Sequence, residues 1–215
     1  MHAEHLEAVH GVGPHTISVP RVKPAMDINP DEFDNGIPDE MFEKLIALIR
    51  ISVPYTGMII STRESQTVRE HALQYGISQI SGGSRTSVGG YVEEQRPHDT
   101  EQFDVSDQRT LDEVISWLLD NNHIPSFCTA CYRAGRTGDR FMSFCKNGEI
   151  LNFCHPNALI TLAEYLSDYA TPETKSKGMK IIQQELQKVE NPKTKELAKT
   201  YIDNIVSGIG RDYRF

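Results

Sequence analysis

Three cysteines carry the strongest chemical signal in this chain. Cys128 and Cys131 form a CxxC, and Cys154 follows after 22 intervening residues. A CxxC lets two thiolates reach one metal centre from a single turn of backbone. Behind it runs Tyr132-Arg133-Ala134-Gly135-Arg136-Thr137-Gly138-Asp139-Arg140-Phe141, a segment dense in glycine and arginine. Glycine lets the chain bend closely around a bulky cofactor and bring N–H groups to its sulfurs. The arginines offset thiolate and sulfide charge. A cubane iron–sulfur cluster takes four ligands, so three cysteines leave one iron open to an outside group. Two other chemistries compete. A thioredoxin-like dithiol should open a helix after a strand, whereas this CxxC follows Ile124-Pro125-Ser126-Phe127, downstream of a helical pattern. A structural zinc site is the stronger rival, with Cys145 or His155 as a fourth ligand. Zinc ribbons usually offer a second close pair, and Cys145 and Cys154 have eight residues between them. Spacing alone leaves cluster and zinc about even.

The rest of the chain must position these groups. Its 215 residues suffice for one or two domains with a real core. A net charge of −8 lacks the basic footprint of a nucleic-acid binder. No apolar run reaches the roughly 18 residues of a membrane span, and no signal peptide opens the sequence, so a cytoplasmic protein is expected. In that compartment four cysteines are better suited to metal or catalysis than to disulfides.

Short apolar runs alternate with helical patterns from His15 to about Ser81. Thr16–Val19 is one run, Ile37–Leu48 reads as a helix, and Ile49–Ile60 holds a second β-branched run ending at Ser61, Thr62 and Arg63. Glu64–Gln74 reads as a helix, and Gly76–Ile80 as a third strand opening into Ser81-Gly82-Gly83-Ser84. This alternation predicts parallel βα units. Three parallel strands are few for a free-standing sheet. The expected fold class is therefore α/β: the closing βα units of a (β/α) barrel over residues 1–90, then a mostly helical domain over 91–215. Ahead of the strands, Met1–His10 reads as a helix stopped by Gly11, with nothing before it to cap it, which suggests part of a longer protein. Gly89–Ser106 is a polar loop containing Glu93, Glu94, Arg96, Pro97, Asp99 and Glu101. Beyond it, Thr110 and Glu113 suit a capping box for a helix carrying Leu111, Val114, Ile115, Leu118 and Leu119. Asn157–Tyr169 repeats the pattern. Thr171-Pro172 and Asn191-Pro192 each start a further helix.

The segment Ser126-Phe-Cys-Thr-Ala-Cys-Tyr-Arg-Ala-Gly-Arg-Thr-Gly-Asp-Arg-Phe-Met and the later Asn152-Phe-Cys-His-Pro-Asn resemble a known family. It is the radical S-adenosylmethionine tyrosine lyases of [FeFe]-hydrogenase maturation, relatives of the tyrosine lyase of thiamine synthesis. Gly13-Pro-His-Thr-Ile-Ser-Val-Pro-Arg, Val53-Pro-Tyr-Thr-Gly-Met-Ile-Ile-Ser-Thr-Arg-Glu and Gln79-Ile-Ser-Gly-Gly-Ser extend the resemblance over nearly the whole chain. It implies the C-terminal half of a radical SAM enzyme. The CxxxCxxC that holds the radical-generating [4Fe-4S] cluster does not occur in this sequence.

What the resemblance implies for individual residues is specific. Cys128, Cys131 and Cys154 would ligate an auxiliary [4Fe-4S] cluster carrying a labile extra iron. Cys145 lies outside that pattern and reads as a small apolar residue nearby. His2, or else His5, would hold the extra iron; the alternative is a solvated histidine pair on one helix face. Arg63 would bind the tyrosine carboxylate, for which a guanidinium fork is suited. No acid at Gln66 or Thr67 offers it a helix salt bridge instead. Ser81 would contact the amino acid or S-adenosylmethionine. The chemistry implied is cleavage of tyrosine and conversion of a fragment to carbon monoxide and cyanide. Tyrosine and other hydrogenase-maturation proteins are the expected partners, without nucleic acid or membrane. The thiamine-pathway lyase and a zinc-stabilised interaction domain are the alternatives.

Overall fold

The computed structural model describes residues 1–25, 27–33, 36–92 and 103–215, which fall into two compact units, Met1–Thr110 and Leu111–Phe215. The acidic stretch of the expected polar loop, Glu93 through Glu101, lies outside the described residues.

In the first unit, α1 (His2–His10) ends at Gly11, whose N–H donates to the Glu7 carbonyl, and leads to β1 (Thr16–Ser18). Helix α2 (Asp39–Ser52) precedes β2 (Gly57–Ile60), and α3 (Gln66–Gln74) precedes β3 (Gln79–Ile80). The strands are parallel in the order β1-β2-β3, with Ser18 opposite Ile59 and Ile60 opposite Ile80. Mixed α/β architecture with a small parallel sheet follows. Phe42 and Ile46 of α2 and Val68 and Ala72 of α3 pack on Met58, Ile60 and Ile77 to form the core.

Several boundaries differ from the sequence reading: β3 starts at Gln79 rather than Gly76, and α2 at Asp39 rather than Ile37. Ile49–Ser52 continue α2 rather than join a strand, because helix packing overrides β-branched propensity there and Pro54 then stops the helix. Arg50 closes the corner: its guanidinium donates to the carbonyls of Gly76 at 2.8 Å and Thr56 at 2.8 Å. Helix α3 starts at Gln66, capped by Ser65, whose Oγ accepts from Val68 N–H. Glu64 consequently sits before the helix and is buried.

The second unit is helical among its described residues. Helix α4 (Leu111–Asp120) buries Val114, Ile115, Leu118 and Leu119, while Leu111 stays exposed. Short α5 (Ala130–Arg133) and α6 (Gly138–Asn147) follow. Helix α7 (Leu151–Asp168) starts six residues earlier than its apolar pattern suggests and contains Pro156. Helices α8 (Pro172–Leu186) and α9 (Pro192–Val206) pack against it. Their N-caps are Thr171 and Asn191, with proline in the first turn of each, as the sequence indicates. A Cβ on Gly178 would meet Leu166 at 2.5 Å, so α8 approaches α7 through a glycine gap. Asp112 ties three helices together. It accepts from Tyr165 Oη at 3.0 Å, Thr171 Oγ1 at 2.7 Å and Thr174 Oγ1 at 2.9 Å.

Candidate functional site

Each unit presents a candidate site among its described residues. In the first, parallel strands end together, and the residues leaving them face a common cleft. Its volume is about 630 Å³, and Ser18, Ser61, Arg63, Ser81, Arg85 and Phe103 are among the residues lining it. The structure thus brings Arg63 and Ser81 into one cavity. Arg63 lies three residues past the end of β2 rather than on it. Its guanidinium carbon sits 4.0 Å from the centre of the Phe103 ring, and its carbonyl accepts from Ser106 Oγ at 2.7 Å. That stacking leaves the edge N–H groups of the fork to address an anion. No carboxylate among the described residues pairs with it.

Buried ion pairs outside the cavity hold its walls. Glu64, 2% exposed, accepts from Arg21 and lies 3.3 Å from Lys23 Nζ, fixing the chain that leaves β1. Arg69 on α3 is fully buried and donates both to Asp107 and to the Ser81 carbonyl. Arg109 adds bonds of 2.9 and 2.6 Å to the same carboxylate, and Asp107 N–H donates to the Thr62 carbonyl. Burial alone would raise the Asp107 carboxyl, but the Arg109 hydrogen bonds and the Arg69 charge outweigh it and hold it below the usual range. One carboxylate therefore clamps the exits of β2 and β3 to the segment carrying Phe103 and Ser106. Sequence reasoning missed Glu64, Arg69 and Asp107 in these roles. The available signal was a charged residue, Arg69, between Val68 and Ala72 on the buried side of α3.

The second unit carries all four thiols. Cys128 precedes α5 and Cys131 lies on it; Cys145 is on α6 and Cys154 on the first turn of α7. The first three are half-buried, and Cys154 is open at its surface. Burial around its sulfur nevertheless pushes the Cys154 thiol up to about 11; Cys131, Cys128 and Cys145 add to this, and Arg136 opposes it. Cys145 is raised too, by burial and then by Cys131.

Local bonds shape the loop. Ala130 N–H points at Cys128 Sγ at 3.4 Å, and Phe127 N–H donates to Thr161 Oγ1 of α7 at 3.2 Å. Gly135 and Gly138 adopt φ of 64° and 59°, a left-handed conformation that favours glycine and turns the chain back towards α6. Arg136 stacks 4.6 Å above Phe153, and its buried Nε has no hydrogen-bond partner among the described residues.

These features fit an iron–sulfur cluster. Thiols that repel one another's charge need a cationic centre before they can ionise together, and a spare buried N–H suits a sulfur acceptor. Among the described residues no three His, Cys, Asp or Glu side chains converge as they would on a single ion. Ligands of a cluster bind separate irons and only need to ring a larger core. His2 and His5 are exposed on α1, in the first unit, whereas the cysteines belong to the second.

Comparison with known proteins now gives these two sites a context. Residues 18–124 match the Biotin and Thiamin Synthesis associated domain. Over 105 residues the chain is 29% identical to 2-iminoacetate synthase of Salmonella typhimurium, covering 48% of this chain and 26% of that protein. A crystal structure of HydG, a maturase of the [FeFe]-hydrogenase, superposes with a TM-score of 0.93 at 51% identity, covering 99% of this chain and 46% of that one. The HydG maturase of Carboxydothermus hydrogenoformans gives a TM-score of 0.70 at 38% identity, with 93% and 42% covered. The chain is HydG-like in sequence and fold, and it spans less than half the length of these relatives.

Proposed function

We propose that this chain is the C-terminal portion of a radical SAM tyrosine lyase that makes carbon monoxide and cyanide from tyrosine for [FeFe]-hydrogenase assembly. Residues 1–90 would close the radical SAM barrel and 91–215 would form the auxiliary-cluster domain. The carrying observation is the 51% identity and TM-score of 0.93 to HydG over 99% of this chain, a span that includes Cys128, Cys131 and Cys154. The Biotin and Thiamin Synthesis match ends at residue 124, ahead of the CxxC, whereas the likeness to HydG spans the cysteines. That contrast favours the hydrogenase branch over the thiamine lyase.

The chain's own residues divide the work. Arg63, steadied by Phe103, binds the tyrosine carboxylate through its fork, and hydroxyls at the strand exits orient the amino acid. Ser81, held through its carbonyl by Arg69, contacts tyrosine or S-adenosylmethionine. Cys128, Cys131 and Cys154 hold the auxiliary [4Fe-4S] cluster, and His2 ligates the extra iron. Arg136 offsets the negative charge of the sulfurs. When bound, the two clusters supply reductive radical generation and metal coordination of the small fragments. Other hydrogenase-maturation proteins would receive the product.

Anaerobic loading with ferrous iron and sulfide tests this. Roughly four irons per chain are expected, with the EPR signature of a reduced cubane after addition of dithionite. Stoichiometric zinc without iron would overturn the reading. No described helix is long and apolar enough to cross a membrane.

A further inference from the structure

Residues 211–215 touch both segments that carry the thiols of Cys128, Cys131 and Cys154. Phe215 N–H donates to Asn157 Oδ1 at 2.9 Å, and Asn157 Nδ2 lies 3.4 Å from the Phe215 carbonyl. Asn157 is 2% exposed and stands three residues beyond Cys154 on α7. The same Phe215 carbonyl accepts from Arg136 at 2.8 Å, and Arg136 N–H in turn donates to the Cys131 carbonyl at 2.8 Å. Asp212 grips the Arg133 guanidinium with both carboxylate oxygens, one of them at 2.8 Å. Arg133 closes α5, the turn that carries Cys131. Tyr213 anchors the segment from outside, stacked 4.4 Å from Tyr201. A continuous path of backbone-directed bonds therefore runs from Cys131 through Arg136 and Phe215 to Asn157 beside Cys154.

We propose that residues 211–215 act as a strap, anchored on Asn157, that joins the Cys128–Cys131 loop to the Cys154 helix and sets the spacing of the thiols. Asn157 is then a positioning residue. It touches no metal, but it satisfies both polar groups of Phe215 at once, and the carbonyl so fixed orients Arg136. This rests on the cluster reading above and adds the element that preorganises its ligands. Three ligands drawn from two segments meet a rigid core only if those segments are held in register. Short α5 cannot do this alone, since four residues make barely one turn.

The test compares the full chain with Asp212→Asn, Asn157→Ser and Asn157→Asp. Asp212→Asn keeps a residue that tolerates its φ of 66° and removes only an exposed charge, so it will not threaten the core. Amide hydrogen exchange is read on the metal-free protein. Iron release to a chelator is read after anaerobic loading with iron and sulfide, and the EPR spectrum after further reduction with dithionite. Asn157→Ser should speed exchange across residues 128–137 roughly tenfold, with α8 unchanged. Its iron should leave several-fold faster and its EPR signal should broaden. Asp212→Asn should show the same pattern more weakly, and Asn157→Asp, which keeps the acceptor for Phe215 N–H, should recover part of it. Unchanged exchange across 128–137 overturns the strap. So does an equal rise in α8, which marks general packing, and so does faster local exchange with unaltered iron retention. If the unaltered chain takes up no iron, the cluster reading fails and with it the claim on thiol spacing. The exchange data still decide whether the strap itself exists.

Discussion

Around the strand exits of the first unit, buried charges meet opposite charges. Glu64 faces Arg21 and Lys23, and Asp107 faces Arg69 and Arg109. Around Cys154 in the second unit, thiols face thiols, with Arg136 the cation acting on it. The first arrangement is electrostatically finished without a ligand, so its cleft can be preformed and Arg63 can wait in position. The second gains its last stabilising interactions from whatever ionises the sulfurs. On the proposed reading, the cleft would be organised by folding and the thiol group completed by loading.

The contrast is broken most directly at the cysteines. Cys128→Ala combined with Cys131→Ala should abolish cluster iron altogether, while the far-UV circular dichroism of the metal-free chain stays as it was. Retention of the full iron content would mean other ligands hold the metal.

Next in size is Asp107→Ala. Removing the carboxylate breaks the buried pair that Asp107 makes with Arg69, a change that costs about 3–5 kcal/mol. The single tryptophan, Trp117, lies on α4 in the second unit and offers a separate probe. Urea melts should show an early loss of helical signal with the Trp117 fluorescence transition unmoved. Coincident shifts in both would show that the two units unfold as one. The same clamp has a pH signature. Because Asp107 is held below its unfolded value, its stabilisation is present above the ordinary carboxylate range and is lost as pH falls through the lowered value. Acid should therefore release the first unit only below the usual carboxylate range, and Asp107→Asn should remove that pH dependence.

A third effect concerns tyrosine. In a complete enzyme Arg63→Ala should weaken tyrosine affinity by roughly 2–3 kcal/mol, the worth of a charge-assisted fork. Arg63→Lys should recover only part of it, because one ammonium cannot make the paired contact. Isothermal titration decides, and unchanged affinity would remove Arg63 from the site. The smallest effect should come from loading pH. With Cys154 pushed up to about 11, the metal-free thiol is protonated near neutrality, and iron uptake must displace that proton. Uptake should accelerate between pH 6.5 and 8.5 by a modest factor, read as initial rate of colour development; an opposite slope would contradict the raised thiol.

Much of this was readable from the sequence because the signals were local. Thr171-Pro172 and Asn191-Pro192 start helices through bonds to their own next residues, and Gly11 stops α1 in the same way. The strand exits at Ser61 and Ser81 followed from apolar runs ending in small polar residues. Helix α6 was hidden because glycines and arginines dominate its opening, and only Met142 among its residues is buried. The extension of α2 through Ile49–Ser52 depended on packing that β-branched side chains do not announce. Least legible were the clamps. Glu64 finds Arg21 from 43 positions away, and Asp107 finds Arg69 from 38. No periodicity connects such pairs. The cysteines, Cys145 included, could be singled out in the sequence, yet the strap at Asn157 emerges only in three dimensions.

The clamps also have a consequence for variation across relatives. A buried carboxylate shared by two cations cannot be exchanged through one substitution, nor restored by one reversal on the other side. Position 64 is linked to 21 and 23, and position 107 to 69 and 109, as small blocks of inheritance. Among aligned relatives these blocks should change together or stay fixed, whereas Arg85 on the cleft wall, in no such block among the described residues, should drift independently.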